Sequence, residues 1–355
     1  MRSSMKKSRF IFLLSGEAVE TAAQEVKSLF EIAGGSCRIV IQNGFILVAE
    51  SDLRPETVKL LCGRSAEIRL ACELKAKIES SSLKTISNID FSFVQSPFCV
   101  RVKDFRSEKE STESAEERLA SVVWMALQDL GRTPAVDLSH PRTTIYFILA
   151  GEHVYVSNFI WKQAKGEFVG RAPSEKPRFH PTSLVPKLAR LIVNLSRAKT
   201  GELLLDPFCG VGSILIEGLI AGANVFGVDF DKTKPKDADA NINAYRRLYK
   251  HKNYKLKTWD ATKLEKLFKP NSIDAIATDP PYGRSSVVSA KNINELYEKF
   301  LKSTHKVLKK EKYLAMIRPD NLKLKIDSKK WKKVHESELY VHASLTRKIL
   351  VLQKR

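Results

Sequence analysis

Four strand-like runs in the second half of the chain each close on an aspartate: 201–206, 223–229, 254–260 and 273–279, ending in Asp206, Asp229, Asp260 and Asp279. Each reads as a short strand, and an apolar helix follows the first. Strands of this kind alternating with helices predict an open, doubly wound α/β sheet. In such a sheet ligands bind at the carboxyl ends of the strands, so the four acids would be gathered along one edge. Any one of them could instead cap a helix, Asp260 most readily.

The turn after the first run is Asp206-Pro207-Phe208-Cys209-Gly210-Val211-Gly212, leading into Ser213–Glu217. Two close glycines let the backbone approach a ligand. Asp229 follows them by roughly 20 residues, the spacing that sets a carboxylate on a ribose diol. The third glycine of a dinucleotide turn is missing, which argues against a pyrophosphate. A ligand with an amino acid at one end and a nucleoside at the other fits better, and S-adenosyl-L-methionine is such a ligand. Asp229 is then placed for its ribose and Asp260, with the Ala261 N–H beside it, for its adenine amino group.

The last run continues as Asp279-Pro280-Pro281-Tyr282-Gly283. The prolines fix the backbone and remove two donors, so carbonyls there can face a ligand. A carboxylate and a flat aromatic face beside them suit a heterocycle held by an exocyclic amine. The plainer alternative is a proline-rich turn. The catalytic candidates are Asp279, Pro280, Pro281 and Tyr282.

These motifs resemble class I S-adenosylmethionine-dependent methyltransferases that act on exocyclic amines of bases. Arg178–Arg190, the Asp279–Ser286 stretch and the late His342-Ala-Ser-Leu-Thr-Arg347 narrow the resemblance to the THUMP-domain tRNA (guanine-10-N2)-methyltransferase family, archaeal type. The resemblance implies a Rossmann-like class I methyltransferase domain preceded by α+β ferredoxin-like and THUMP units. It places them at 1–52 (ferredoxin-like), 53–158 (THUMP), 159–180 (linker) and 181–355 (methyltransferase). It implies S-adenosyl-L-methionine held by Pro181, Thr182, Asp206, Pro207, Phe208, Cys209, Gly210, Gly212, Asp229, Phe230, Asp260, Ala261 and Asp279. It implies one or two methyls placed on N2 of guanosine 10 of tRNA. The alternatives are another tRNA guanosine, such as position 6, a DNA amino-methyltransferase, or an RNA-binding protein with an inactive fold. Eukaryotic relatives need a small activator subunit, a candidate partner here for what otherwise reads as a monomer.

The charge agrees with a polyanionic partner: 355 residues carry a formal net charge of +20. Residues 301–355 hold sixteen Lys and Arg against five Asp and Glu. The bland reading of that excess is a solvated lysine-rich surface. Arg101, Lys103, Arg106, Arg142 and Arg347 are candidate RNA contacts by charge alone. The five cysteines include no C-x-x-C pair, and the seven histidines show no ligand spacing, so neither a disulfide scaffold nor a metal site is expected. The basic start followed by Phe10–Leu14 is too short for a signal peptide and reads as a first strand. With no long apolar run the chain is expected to be cytoplasmic, with no membrane contact.

In the first half, Phe10–Leu14, a helix at Ala18–Phe30, Cys37–Ile41 and Phe45–Ala49 are expected, with a hairpin turn at Asn43-Gly44. Further on come Val58–Leu61, Glu67–Glu73, Phe98–Val102, a helix at Ser114–Leu130, and strands at Val136–Leu138, Thr143–Leu149 and His153–Asn158.

Overall fold

The computed structural model describes residues 7–79, 86–107, 111–181, 183–249, 253–282, 290–322, 324–342 and 345–355. They form two compact units. The first takes in the chain through Leu14, Gly35–Gly63 and Ile68–Gln163. The second takes in Ser15–Gly34, Arg64–Glu67 and Ala164–Arg355.

The first unit is built on one seven-stranded sheet. Its strands are β1 (Ser8–Leu14), β2 (Arg38–Asn43), β3 (Ile46–Ser51), β4 (Ile68–Glu79), β5 (Phe98–Asp104), β6 (Thr143–Ala150) and β7 (His153–Lys162). Their order is β2-β3-β1-β4-β7-β6-β5. Only β5 and β6 run parallel. Period-2 burial explains why the strand sequences look uniformly apolar: along β6, Ile145, Phe147 and Leu149 join one core, while Tyr146, Ile148 and Ala150 join another. The β2–β3 hairpin forms one residue later than the sequence predicts. Asn43 pairs with Ile46, so the central residues are Gly44 and Phe45, and Gly44 takes φ +52°.

Two helices complete what the sequence outlines here, α2 (Pro55–Gly63) and α3 (Thr112–Asp129). Val58–Leu61 lies within α2. Val136 makes only an isolated bridge to Phe98, not a strand. A boundary at residue 52 does not divide these strands, because β1 pairs directly with β4. Residues 159–162, expected in the linker, are the end of β7.

The helix expected near Ala18–Phe30 is α1 (Val19–Ile32), and it belongs to the second unit. Its buried Glu25 accepts hydrogen bonds from the Ala66 and Glu67 amides, the Ser65 hydroxyl and the Asn194 amide. A carboxylate serving four donors ties α1 to residues far along the chain, a link that local periodicity does not encode.

The second unit carries α4 (Pro186–Leu195), β8 (Leu203–Asp206), α5 (Ser213–Ile220), β9 (Asn224–Asp229), α6 (Lys234–Ala244), β10 (Tyr254–Thr258), β11 (Ile273–Thr278), α7 (Ala290–Val307), β12 (Leu308–Pro319), β13 (Trp331–His342) and β14 (Leu345–Lys354). The sheet order is β10-β9-β8-β11-β12-β14-β13. The five strands from β10 to β12 are parallel, and β14 inserts antiparallel between β12 and β13. The sheet is buried on both faces. Leu204, Ala275, Ala315 and Val351 enter the core on one side. Leu205, Ile276, Met316 and Leu350 enter the core on the other.

From β8 the chain winds outward through β9 to β10, then returns to lay β11 against the other side of β8, with Leu204 opposite Ala275. The crevice beyond the carboxyl ends of β8 and β11 is therefore the topological switch point, where an open α/β sheet holds its ligand.

Candidate active site

Asp206 is the last residue of β8 and Asp229 the last of β9, while Asp279 follows β11 directly. Asp206 is buried. Its Oδ1 accepts from the Thr278 hydroxyl at 2.7 Å and from the Phe208 amide at 3.2 Å. Burial pushes its carboxyl up to about 7, helped by the neighbouring charges of Asp229 and Asp279. Burial also raises Asp229. Asp279 keeps part of its surface open, yet enough protein surrounds its carboxylate to push it up to about 6. The Tyr282 hydroxyl, which donates to Asp279 Oδ1, and the nearby Arg347 charge act in the opposite sense.

The glycine turn is shaped by two positive φ angles, +50° at Gly210 and +86° at Gly212. A Cβ on Gly210 would point into open space, so the backbone there is bare. One on Gly212 would press against Ala238 of α6 at 3.2 Å. The Gly210 amide donates to Asp229 Oδ2 at 2.9 Å and the Asp231 amide to Oδ1 at 3.0 Å. Each oxygen keeps a lone pair for a further donor, such as a diol. Phe230, beside it, is 76% exposed.

S-adenosylmethionine suits this arrangement on charge alone. Three carboxylates with raised pKa share one crevice, and a sulfonium or ammonium there would relieve their mutual repulsion. The bare backbone at Gly210 leaves room, and the carboxylate of Asp229, oriented by two amides, is an acceptor that a diol would suit.

Other residues expected at the cofactor also have structural partners. Phe208 turns its ring onto Phe300, 5.1 Å away edge to face, and packs in the core. Pro207 is buried. Cys209 is buried, burial drives its thiol far above the usual range, and its Cβ abuts Gly227. It packs rather than reacts. Asp260 caps the short turn that begins at Ala261: its Oδ1 accepts from the Thr262 amide and hydroxyl, and Oδ2 pairs with Lys263 at 3.1 Å. These partners hold it below the usual range against a partial burial that acts the other way. The cap alternative thus describes its local geometry. Ala261 is buried next to it. Thr182 and Gly283–Ser286 lie outside the described residues, and of the His342–Arg347 stretch only Arg347 has a described side chain.

Pro181 is exposed, at the end of a segment fastened to the glycine turn by a residue the sequence did not flag. Asn241 of α6, wholly buried, accepts from the Arg178 amide and donates to the carbonyls of Arg178 and Val211. Nothing in the polar run of α6 marks this asparagine apart from its neighbours. The stretch expected as a linker is equally engaged. Arg171 and Lys176 are both buried, Arg171 against Glu217 of α5 at 2.7 Å and Lys176 on the Ser213 hydroxyl at the start of α5. Burial brings the Lys176 ammonium down to about 8.

The candidate RNA contacts divide. Arg101 pairs with Glu116 at 3.2 Å, and Arg106 with Asp104 at 2.6 Å. Lys103 is exposed. Arg142 lines a polar cavity of about 490 Å³ with Phe93, Gln95, His140, Asn158 and Phe159. Arg347 lies over the Tyr282 ring in the other unit. In the lysine-rich region, Lys306, Lys309, Lys312, Lys330 and Lys333 each pair with a carboxylate, whereas Lys310, Lys329 and Lys332 are exposed. Much of that local excess is spent on the surface of its own sheet. Among the described residues no helix is long and apolar enough to cross a membrane, and no group of His, Cys, Asp and Glu gathers as a metal site.

A family model described as an RMKL-like methyltransferase domain matches residues 173–349. The tRNA (guanine(10)-N2)-dimethyltransferase of Methanothermobacter thermautotrophicus is 30% identical, over 96% of this chain and 98% of its own length. The chain belongs to this tRNA (guanine(10)-N2)-dimethyltransferase family. The enzyme of the same name from Methanocaldococcus jannaschii is 27% identical over 97% of the chain and 99% of its own. TrmN from Thermus thermophilus shares the fold across 99% of this chain and 100% of its own, with a TM-score of 0.51 at 18% identity. Within the family's chain, the Asp279–Tyr282 element stands at the switch point beside the Asp206–Gly212 turn.

Proposed function

We propose that this chain transfers methyl groups from S-adenosyl-L-methionine to the exocyclic N2 of guanosine 10 in tRNA. The observation that carries this reading is the carboxylate of Asp279, set at the β8–β11 switch point beside the Asp206–Asp229 cradle, in a chain matched end to end by relatives of that name.

The bound sulfonium supplies an electrophilic methyl carbon. Asp229 and the Gly210 turn are assigned to the nucleoside end of the cofactor, and Pro181 and Phe230 border it. Asp279 and the backbone of Pro280 are assigned to the base amine. An aromatic amine is a poor nucleophile because its lone pair is shared with the ring. Hydrogen bonds to Asp279 draw the nitrogen toward a pyramidal shape and aim that lone pair along the line of attack. The surplus proton that the methylated nitrogen would carry would pass to the Asp279 carboxylate or to water. The Tyr282 ring is assigned to stack on the base. The Tyr297 hydroxyl, 3.4 Å from the Pro281 carbonyl, braces the loop. Positioning of this kind contributes several kcal/mol to such a transfer. A base within a stem must be flipped out to enter. In the first unit, Lys103 and the Arg142 cavity with its two phenylalanines are assigned to tRNA, in a region read as the THUMP domain.

Unmodified tRNA transcripts incubated with the protein and labelled cofactor, followed by nucleoside mapping, test this. N2-methylguanosine or its dimethyl form at position 10 is the expected product. Methylation only at another guanosine would move the target. No incorporation with cofactor bound would point to a missing activator subunit or a binding-only protein. Asp229→Ala is expected to raise the cofactor dissociation constant about 10- to 100-fold by calorimetry, or roughly 1.4–2.8 kcal/mol. An unchanged constant removes its ribose assignment.

A further inference from the structure

Arg347 sits on β14 opposite Pro319 of β12. Its guanidinium carbon lies 5.0 Å from the centroid of the Tyr282 ring. Its Nε is buried and makes no hydrogen bond. The Tyr282 hydroxyl in turn donates to Asp279 Oδ1. One side chain of β14 and two of the loop that follows β11 thus form a line that ends on the carboxylate assigned to the base amine.

We propose that Arg347 is a positioning residue for methyl transfer: stacked on Tyr282, it holds that ring, and the hydroxyl that orients Asp279, in the attitude the transfer needs. The proposal rests on the reading of Asp279 as the partner of the amine. A planar cation is suited to this place, since it can lie flat on an aromatic face and remain charged when partly desolvated. The groups that act on Asp279 are the Tyr282 hydroxyl and the Arg347 charge, with Tyr297 of α7 behind the loop and the Asp206 carboxyl on β8. Arg347 is the cation of that set. It therefore opposes burial and favours the ionised, accepting form of Asp279. The charge-based reading of Arg347 as an RNA contact predicts something different, namely an effect on tRNA affinity alone.

The test compares Arg347→Gln and Arg347→Lys with wild type and with Asp279→Asn, measuring single-turnover kcat against pH, cofactor affinity and tRNA affinity. For Arg347→Gln the expected result is a loss of about 10- to 100-fold in kcat at neutral pH, the scale of a misplaced reacting group. Its acid limb moves to higher pH, and its cofactor dissociation constant stays within about twofold of wild type. Arg347→Lys is expected to keep the limb near its wild-type position while recovering only part of kcat, because it restores the charge and not the plane. Wild-type kcat with an unmoved limb overturns the proposal. So does a change confined to tRNA affinity, or a loss of kcat that tracks loss of cofactor affinity with the limb unmoved. Turnover retained by Asp279→Asn is the separate failure of the Asp279 reading.

Discussion

Asp279→Ala is expected to lose turnover by about 10²- to 10⁴-fold, the contribution typical of a positioned acid–base group, while still binding the cofactor. The carboxylate stands at the switch point with one oxygen held by Tyr282, leaving the other for the substrate amine. Asp279→Asn is expected to lose nearly as much, because an amide keeps the shape but accepts no proton. The wild-type enzyme should show an acid limb in kcat. Burial raises the Asp279 carboxyl to about 6. Above that pH it is ionised and accepts; as the pH falls through about 6 it gains a proton and activity drops. Cofactor affinity should change little, and removing one of three crowded acids would ease Asp206, whose own rise owes part to Asp279. Full activity in either variant would dismiss the role.

Glu217→Ala is expected to destabilise the protein by about 3–5 kcal/mol in urea unfolding, the usual cost of stranding a buried charge. Its side chain is 1% exposed, with Arg171 Nε 2.7 Å from one oxygen. Arg190 Nη2 is 2.6 Å from the other, close enough for an ion pair although not aligned as a hydrogen bond. Without Glu217 two buried guanidinium groups lose the carboxylate that both pair with. Replacing all three by apolar residues of similar size should recover most of the loss, since the pair is costly to desolvate in the first place. Because Glu217 lies on α5, which starts at the glycine turn, Glu217→Ala is also expected to weaken cofactor binding. A stability change under 1 kcal/mol would show that water reaches the two arginines.

Much of the second unit was legible because its chemistry is local. The acid-ended runs, the paired glycines and Asp279-Pro280-Pro281-Tyr282 each depend on neighbours in the chain, and Asp206, Asp229 and Asp279 stand where that pattern predicts. Asp260 was legible in the same way: both its place after a strand and its readiness to cap, which its Thr262 and Lys263 partners two and three residues on realise, lie in consecutive residues. The lysines of residues 301–355 show the limit. Composition registers an excess of charge but not that Lys309 faces Asp274 or Lys312 faces Glu202 across the sheet.

The sequence by itself determined which side chains carry the chemistry, because strand ends, tight turns and rigid proline pairs are written in consecutive residues. Only the tertiary structure decided which of them meet. Strand order comes from how the chain returns across β8, and that return brings Asp279 beside Asp206. Tertiary contacts also give α1 to the second unit through Glu25, anchor 171–176 on α5 through the buried Arg171 and Lys176, and lay Arg347 on Tyr282. Each of these depends on contacts between residues far apart in the chain, whose free energy comes from burial and charge pairing that no local pattern records.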